Sequence, residues 1–365
     1  MIELDGSYLE GGGQILRTAL ALSMITGKPF KISDIRKNRP KPGLKNQHLF
    51  CIKALEELTN YEAKAENASI GSESITFTPA KIKKQDIKID IETAGSITLL
   101  LQSVLLPSIF SSKKMKLELI GGTDTKWAMP IDYFKEVFLP QLRKYAKIES
   151  KSKKRGFYPK GNGNVELTIS PLYKLSDYKD FDEFHDFLTN ENKKINLTEQ
   201  GHLLQIKGIS FASNDLQKAE VAERQAKSAE LILKKYNVPM SIRAEYSDTL
   251  STGSGIVLYA IFSKNKDDID FMNPIILGSD CLGERGIKSE QVGQDAAKKL
   301  AIEIDSKSPV DSHLADNLIP FLGIFGGQIK VSKITDHTLT NIYATEQFIG
   351  KKFEIDEKNK IISLK

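Results

Sequence analysis

The sequence predicts an α/β protein of the α+β kind: three repeated β-α-β-α-β-β units forming a large domain, with a small α+β domain inserted. Three observations lead there. Apolar residues alternate between strand-like and helix-like periods in one order over residues 2–77, and that order returns over 87–169 and again toward the C-terminus. A stretch dense in charge, Tyr173 to Gln200, breaks the rhythm. After it comes a shorter run of alternating strands around one amphipathic helix, which fits neither neighbour. The expected limits are residues 1–184 and 277–365 for the large domain and 185–276 for the inserted one.

In the first unit Ile2 to Leu4 reads as a strand, Ile15 to Ile25 as a helix stopped by Gly27, and Phe30 to Ile35 as a strand. Leu44 to Leu58 is helical, and strands follow at Tyr61 to Ala65 and Ser74 to Phe77. The second unit gives a strand at Ile87 to Ile91, a helix at Ser96 to Ile109, a strand at Met115 to Leu119, a helix at Ile131 to Tyr145, and strands near Ile148 and at Val165 to Ile169. For the third, Pro274 to Leu277 is the expected first strand, with Glu290 to Ile304 and Ser312 to Phe321 as a doubled helical crossover. Gln328 to Ser332, a helix at His337 to Phe348, and strands at Phe353 to Asp356 and Ile361 to Leu364 complete it. The inserted unit reads as a strand at His202 to Phe211, a helix from Leu216 to Tyr236 capped by Asn214 or Asp215, and strands at Ser241 to Tyr246 and Ile256 to Phe262.

A chain of 365 residues with 40% hydrophobic content has enough apolar side chains for real cores. Its longest apolar stretch, Ile97 to Phe110, is interrupted by Gln102, Ser103, Pro107 and Ser108 and falls short of the roughly 20 residues of a membrane span. Met1 leads into Ile-Glu-Leu-Asp without the basic and apolar regions of a secretory signal, so the cytoplasm is the expected location and no membrane the expected partner. Cys51 and Cys281 lack C-x-x-C spacing and read as free buried thiols. The net charge of +5 permits a polyanionic partner without requiring one.

Chemistry concentrates at a few places. Glu10-Gly11-Gly12-Gly13-Gln14-Ile15-Leu16-Arg17 sets three glycines between a carboxylate and a helix start, where exposed amides suit an anion. It is neither a Walker loop nor a dinucleotide fingerprint, and a tightly packed helix entry is the other reading. Arg36 to His48 carries Arg36, Lys37, Arg39, Lys41 and Lys45 with no acidic residue, on a loop stiffened by Pro40 and Pro42; such a loop favours phosphate contacts over a merely solvated one. Among five histidines, His185 and His202 read as surface residues and His48 as cover for a helix turn. His313 sits behind Asp311 and Ser312, both good caps. His337 opens a helix after a strand; a helix N-terminus disfavours imidazolium and attracts phosphate, as a nucleophile needs, although Asp336 opposes this and a capped surface helix is the alternative. The glycine clusters at 93–98, 121–124 and 155–163 read individually as turns.

Together these segments resemble the RNA 3'-terminal phosphate cyclase family across nearly the whole chain. The likeness rests on E-G-G-G-Q-I-L-R at Glu10 to Arg17, S-M-I-T-G-K-P-F at Ser23 to Phe30, K-P-G-L-x-x-Q-H-L at Lys41 to Leu49, and A-G-S at Ala94 to Ser96. It continues with G-G-T-D at Gly121 to Asp124, R-G-F-Y-P at Arg155 to Pro159, L-A-D at Leu314 to Asp316, and H-x-L-T-N-I at His337 to Ile342. The resemblance implies three repeated units with an inserted domain, and a reaction in which ATP adenylylates a histidine, AMP passes to an RNA 3'-phosphate, and the 2'-hydroxyl closes a 2',3'-cyclic phosphate. It implies His337 as nucleophile and Glu10 as the carboxylate associated with Mg2+ or Mn2+. It further implies phosphate or RNA contacts at Arg17, Arg36, Arg39 and Gln47, and ATP contacts at Gln102, His313, Leu314, Ala315, Asp316 and Asn317. Two features depart from the family: Asn162 interrupts a glycine run, and the Tyr173 to Gln200 connection is long. A non-catalytic cyclase-like RNA-binding assembly factor is the second reading, against which the retained His337 speaks. An enolpyruvyl transferase, whose fold also repeats this unit, is the third, and neither the H-x-L-T-N-I nor the R-G-F-Y-P segment looks like it.

Overall fold

The computed structural model describes residues 1–190, 193–265 and 269–364. The first unit runs β1 (Ile2–Asp5), α1 (Gln14–Thr26), β2 (Phe30–Ser33), α2 (Asn46–Leu58), β3 (Lys64–Glu66) and β4 (Ile75–Thr78). Strands β1 and β2 are parallel, which requires the α1 crossover, and β4 inserts antiparallel between β2 and β3. Gly27, at φ 69°, ends α1 in the left-handed region where a side chain would be strained, and its N–H reaches the Ser23 carbonyl at 2.9 Å.

The second unit repeats this with β5 (Asp86–Asp90), α3 (Ile97–Ile109), β6 (Met115–Gly121), α4 (Ile131–Tyr133), β7 (Ala146–Lys154) and β8 (Gly163–Pro171), in the sheet order β5-β6-β8-β7. Ser96 caps α3 by accepting from the Leu99 N–H at 3.3 Å. The expected helix over 131–145 is α-helical only at its start; it continues as a π turn (Phe134–Phe138) and a 3-10 turn (Leu139–Leu142). Pro140 has no N–H to sustain the α pattern.

The Tyr173–Gln200 connection, two of whose residues lie outside the described ones, contains α5 (Phe181–Asn190) and β9 (Ile195–Leu197). Next come β10 (His202–Ser213), α6 (Val221–Leu233), β11 (Met240–Ser247), β12 (Ser254–Ser263), β13 (Ile275–Leu282) and α7 (Ser289–Asp305). The chain closes with α8 (Ser312–Phe325), β14 (Gly327–Lys330), α9 (Asp336–Ile349), β15 (Glu354–Asp356) and β16 (Ile361–Leu364). The third sheet is ordered β9-β14-β16-β15, so its first strand is Ile195–Leu197, parallel to β14. The Pro274 to Leu277 segment, expected in that role, instead starts β13 and pairs antiparallel with β12 over eight residues. Residue 276 therefore lies within β13, the edge strand of the sheet β11-β10-β12-β13. Helix α7, expected in the third crossover, packs against β12, β13 and α6. The helix expected from Leu216 to Tyr236 begins as a 3-10 segment (Asn214–Ala219) and breaks at Glu220, at φ 51°, before α6.

All three units turn helices inward. Helix α1 packs on α3 and α9, and α8 packs on α9, so the three units share one hydrophobic core. Ring contacts join the units across it: Phe30 to Phe348 at 5.8 Å and Tyr145 stacked on Phe325 at 3.5 Å. The inserted sheet lies against the second unit through Gly278, where a Cβ would come within 2.3 Å of the Tyr133 ring. Among the described residues no helix is long and apolar enough to cross a membrane. Cys51 is buried, as expected, whereas Cys281 is only partly so; both thiols are free.

Candidate active site

Three helices bring the site together. Helix α9 is capped by Thr335, whose hydroxyl accepts from the Thr338 N–H at 3.0 Å, and His337 is its second residue. Asp316 of α8 holds that cap, its Oδ1 accepting from the Thr335 hydroxyl at 2.7 Å and the Thr338 hydroxyl at 2.6 Å. Burial raises the Asp316 pKa, and the two hydroxyl donors oppose the rise. Asn341 donates to the Asp316 carbonyl at 2.5 Å and accepts from Thr18 of α1 at 2.7 Å. The histidine thus stands on an element fixed to both neighbours.

Opposite it, Leu9 at φ 51° and Gly11 at φ 54° turn the chain sharply into α1, whose N-terminus has no side-chain cap. This turn carries Glu10 to His337: Glu10 Oε2 lies 3.2 Å from His337 Nε2 and 3.3 Å from an Arg39 terminal nitrogen. Gln14 donates to the His337 carbonyl at 3.3 Å. Glu10, Arg39 and His337 are all partly exposed, so the cluster faces solvent.

A second chain of contacts runs beneath. Arg17 Nε donates to Gln102 Oε1 at 2.7 Å, Gln102 Nε2 to Asn317 Oδ1 at 2.9 Å, and Asn317 to the His313 carbonyl at 2.8 Å. Burial, with Arg36 adding to it, lowers the Arg17 pKa. His48 is buried beside it and pushed down to about 3 by burial and by the cations Arg17, Arg36 and Lys45. Its Nδ1 accepts from the Lys45 N–H at 3.0 Å, so in the neutral ring Nε2 carries the hydrogen. That nitrogen lies over Gly13, where a Cβ would come within 2.0 Å.

Not every expected residue faces this cluster with its side chain. Leu314 and Ala315 are fully buried in the core. Arg36, at φ 58°, donates to the Lys41 and Gly43 carbonyls at 2.9 and 3.3 Å and holds its own loop. Gln47 lies in the first turn of α2 with its Nε2 buried and unpartnered among the described residues. Gln14, Thr18, Thr335 and Asn341 are structural parts of the site that sequence reasoning passed over; the Thr335-x-x-Thr338 spacing was the available signal for the cap. No group of three or more His, Cys, Asp or Glu suited to a metal occurs among the described residues. A single carboxylate still fits a hard cation that takes its remaining ligands from substrate phosphates and water.

Guanidinium groups beside one carboxylate and a histidine, where the N-termini of α1 and α9 adjoin, define a site suited to phosphate chemistry. Comparison with known proteins narrows the class. Residues 8–355 match the RNA 3'-terminal phosphate cyclase family, and the chain belongs to it. Relatives named RNA 3'-terminal phosphate cyclase include that of Pyrococcus furiosus, 44% identical over 97% of this chain and 95% of the relative. Those of Methanosarcina acetivorans and Saccharolobus solfataricus are 42% and 41% identical, each over 98% of this chain and over 98% and 97% of the relative.

Proposed function

We propose that this protein uses ATP to convert an RNA 3'-terminal phosphate into a 2',3'-cyclic phosphodiester, with His337 carrying the adenylyl group. The observation that carries the reading is the 3.2 Å approach of His337 Nε2 to Glu10 Oε2, with Arg39 on the same oxygen, at the N-terminus of α9.

In the first step Nε2 attacks the α-phosphorus of ATP; the P–N bond forms, the bond to the bridging oxygen breaks, and pyrophosphate leaves. Glu10 Oε2, 3.2 Å from Nε2, is placed to take a proton from that nitrogen before its lone pair attacks phosphorus. Arg17 and Arg39 provide fixed guanidinium charge for the phosphate oxygens. Gln102, His313 and Asn317 would hold the nucleotide by their side chains, whereas the buried Leu314 and Ala315 donate their N–H groups to Asp311 and Asp316 holds the α9 cap. With ATP bound, Glu10 would hold Mg2+ or Mn2+ together with phosphate oxygens, and the cation would neutralise charge on the leaving pyrophosphate.

In the second step an oxygen of the RNA 3'-phosphate attacks the adenylyl phosphorus, the P–N bond breaks, and a P–O–P anhydride forms. The ribose 2'-hydroxyl then attacks the 3'-phosphorus, its proton passes to solvent, and AMP departs with the bridging electrons. The ribose makes this attack intramolecular.

The test is to supply ATP, Mg2+ and a 3'-phosphorylated oligoribonucleotide. The terminal phosphate should become resistant to phosphatase while one AMP is released per end; a phosphate that stays sensitive contradicts the proposal.

A further inference from the structure

We propose that the groove between the second unit and the inserted sheet receives the last unpaired nucleotides of the RNA, their bases stacking on Trp127 and Tyr158. This rests on the cyclase reading above and adds where the RNA lies. The groove encloses about 590 Å³, and Gln47, Ser96, Trp127, Tyr158, Thr252 and Arg285 contribute to its walls. That volume suits one or two nucleotides rather than a duplex.

Two large aromatic rings stand in the groove without cover. Trp127 is 94% exposed and Tyr158 77% exposed. Their loops are fixed rather than loose. Trp127 sits at φ 60°, a left-handed conformation that a bulky residue adopts only at a cost. Lys126 beside it pairs with Glu284 of the inserted unit at 2.8 Å, and Thr98 holds the Met129 carbonyl at 2.6 Å.

The loop of Tyr158 is held more firmly still. Arg155, almost fully buried, donates to Asp124 at 3.2 Å, Asp132 at 2.5 Å and Glu245 at 3.3 Å, and lies 4.0 Å over the Phe211 ring. Phe157 stacks on Phe211 at 6.1 Å and fills the space beside Gly253. Arg155 and Phe157, both on the N-terminal side of Tyr158 in the R-G-F-Y-P segment, therefore pin the loop across the two units, while the Tyr158 ring stays exposed. Rigid, exposed aromatic rings are stacking platforms for bases of any sequence.

The walls carry both signs, Asp124 and Glu284 beside Lys126 and Arg285, and continuity with the site is what favours an RNA strand. Arg285 makes no ion pair among the described residues and leaves a guanidinium on the wall. At the other end is Gln47, with its unpartnered amide, and the next residue, His48, covers Gly13. A strand whose 3'-phosphate reaches Gln47 and the α1 N-terminus would pass its preceding bases over Trp127 and Tyr158.

Trp127 is the chain's sole tryptophan, so its emission reports directly on the groove. The full-length protein is titrated with a 3'-phosphorylated single-stranded oligoribonucleotide, with binding followed in parallel by filter retention. Saturable quenching at the midpoint of binding is expected, and an oligonucleotide abasic at its last two positions should quench little and bind about tenfold more weakly. RNA that binds and is cyclised without changing the emission overturns the groove and leaves the cyclase reading intact. RNA that neither binds nor is cyclised overturns both. Trp127→Ala should raise the KM for RNA about tenfold and Trp127→Phe should restore most of it, with kcat within twofold; an unchanged KM in Trp127→Ala, or a loss confined to kcat, overturns the proposal.

Discussion

Arg17 Nε meets Gln102 Oε1 at 2.7 Å, joining the first helix of the first unit to the first helix of the second. The same amide continues to Asn317 of the third, so one side chain registers all three units beside the site. Gln102→Ala leaves a buried guanidinium without this acceptor and should cost about 1–3 kcal/mol in urea unfolding. It should also raise the KM for ATP. A loss below about 0.5 kcal/mol would show that water replaces the amide without penalty.

Gly13 has no room for a methyl group because His48 Nε2 occupies it, at 2.0 Å from an ideal Cβ. Gly13→Ala should therefore cost about 1–3 kcal/mol. The cost should shrink in a His48→Ala background, where the space opens, and equal costs in the two backgrounds would refute the contact.

His48 also predicts an acid dependence. Its folded value is lowered from 6.5 to about 3, so between those values the unfolded chain binds a proton that the folded chain does not. Stability present above pH 6.5 is accordingly lost as the pH falls toward 3, by up to about 1.4 kcal/mol per pH unit. His48→Asn, which retains an acceptor for the Lys45 N–H, should flatten that part of the profile. Parallel profiles for the two proteins would show that His48 is not the group responsible.

Much of this fold was legible in the sequence because the first two units are long, periodic and uninterrupted. The third was not, since its first strand is only Ile195–Leu197, too short to show a period, and the whole inserted sheet separates it from α8. The alternating residues after Pro274 marked a real strand, but periodicity does not say which sheet a strand joins. Helix α5 was hidden by its charge, although Phe181, Phe184 and Leu188 fall at helical spacing and are buried. Within the site, the E-G-G-G-Q and H-x-L-T-N-I segments pointed to Glu10 and His337. The links Thr18–Asn341 and Gln14–His337 span 323 residues and appear only when the helices pack.

Glu10 touches both His337 and Arg39, so its removal should affect labelling by ATP more than folding. Glu10→Ala should slow self-adenylylation and shift its dependence on Mg2+ or Mn2+ to higher concentration. An unchanged metal titration would remove Glu10 from the cation's ligands.

Whether His337 carries the adenylyl group is tested most directly by incubating the protein with Mg2+ and ATP labelled at the α-phosphate. Wild type should acquire label that is lost in acid and retained in alkali, as a phosphoramidate requires, and His337→Ala should acquire none. An unlabelled wild type, or equal labelling of folded His337→Ala, would contradict the account.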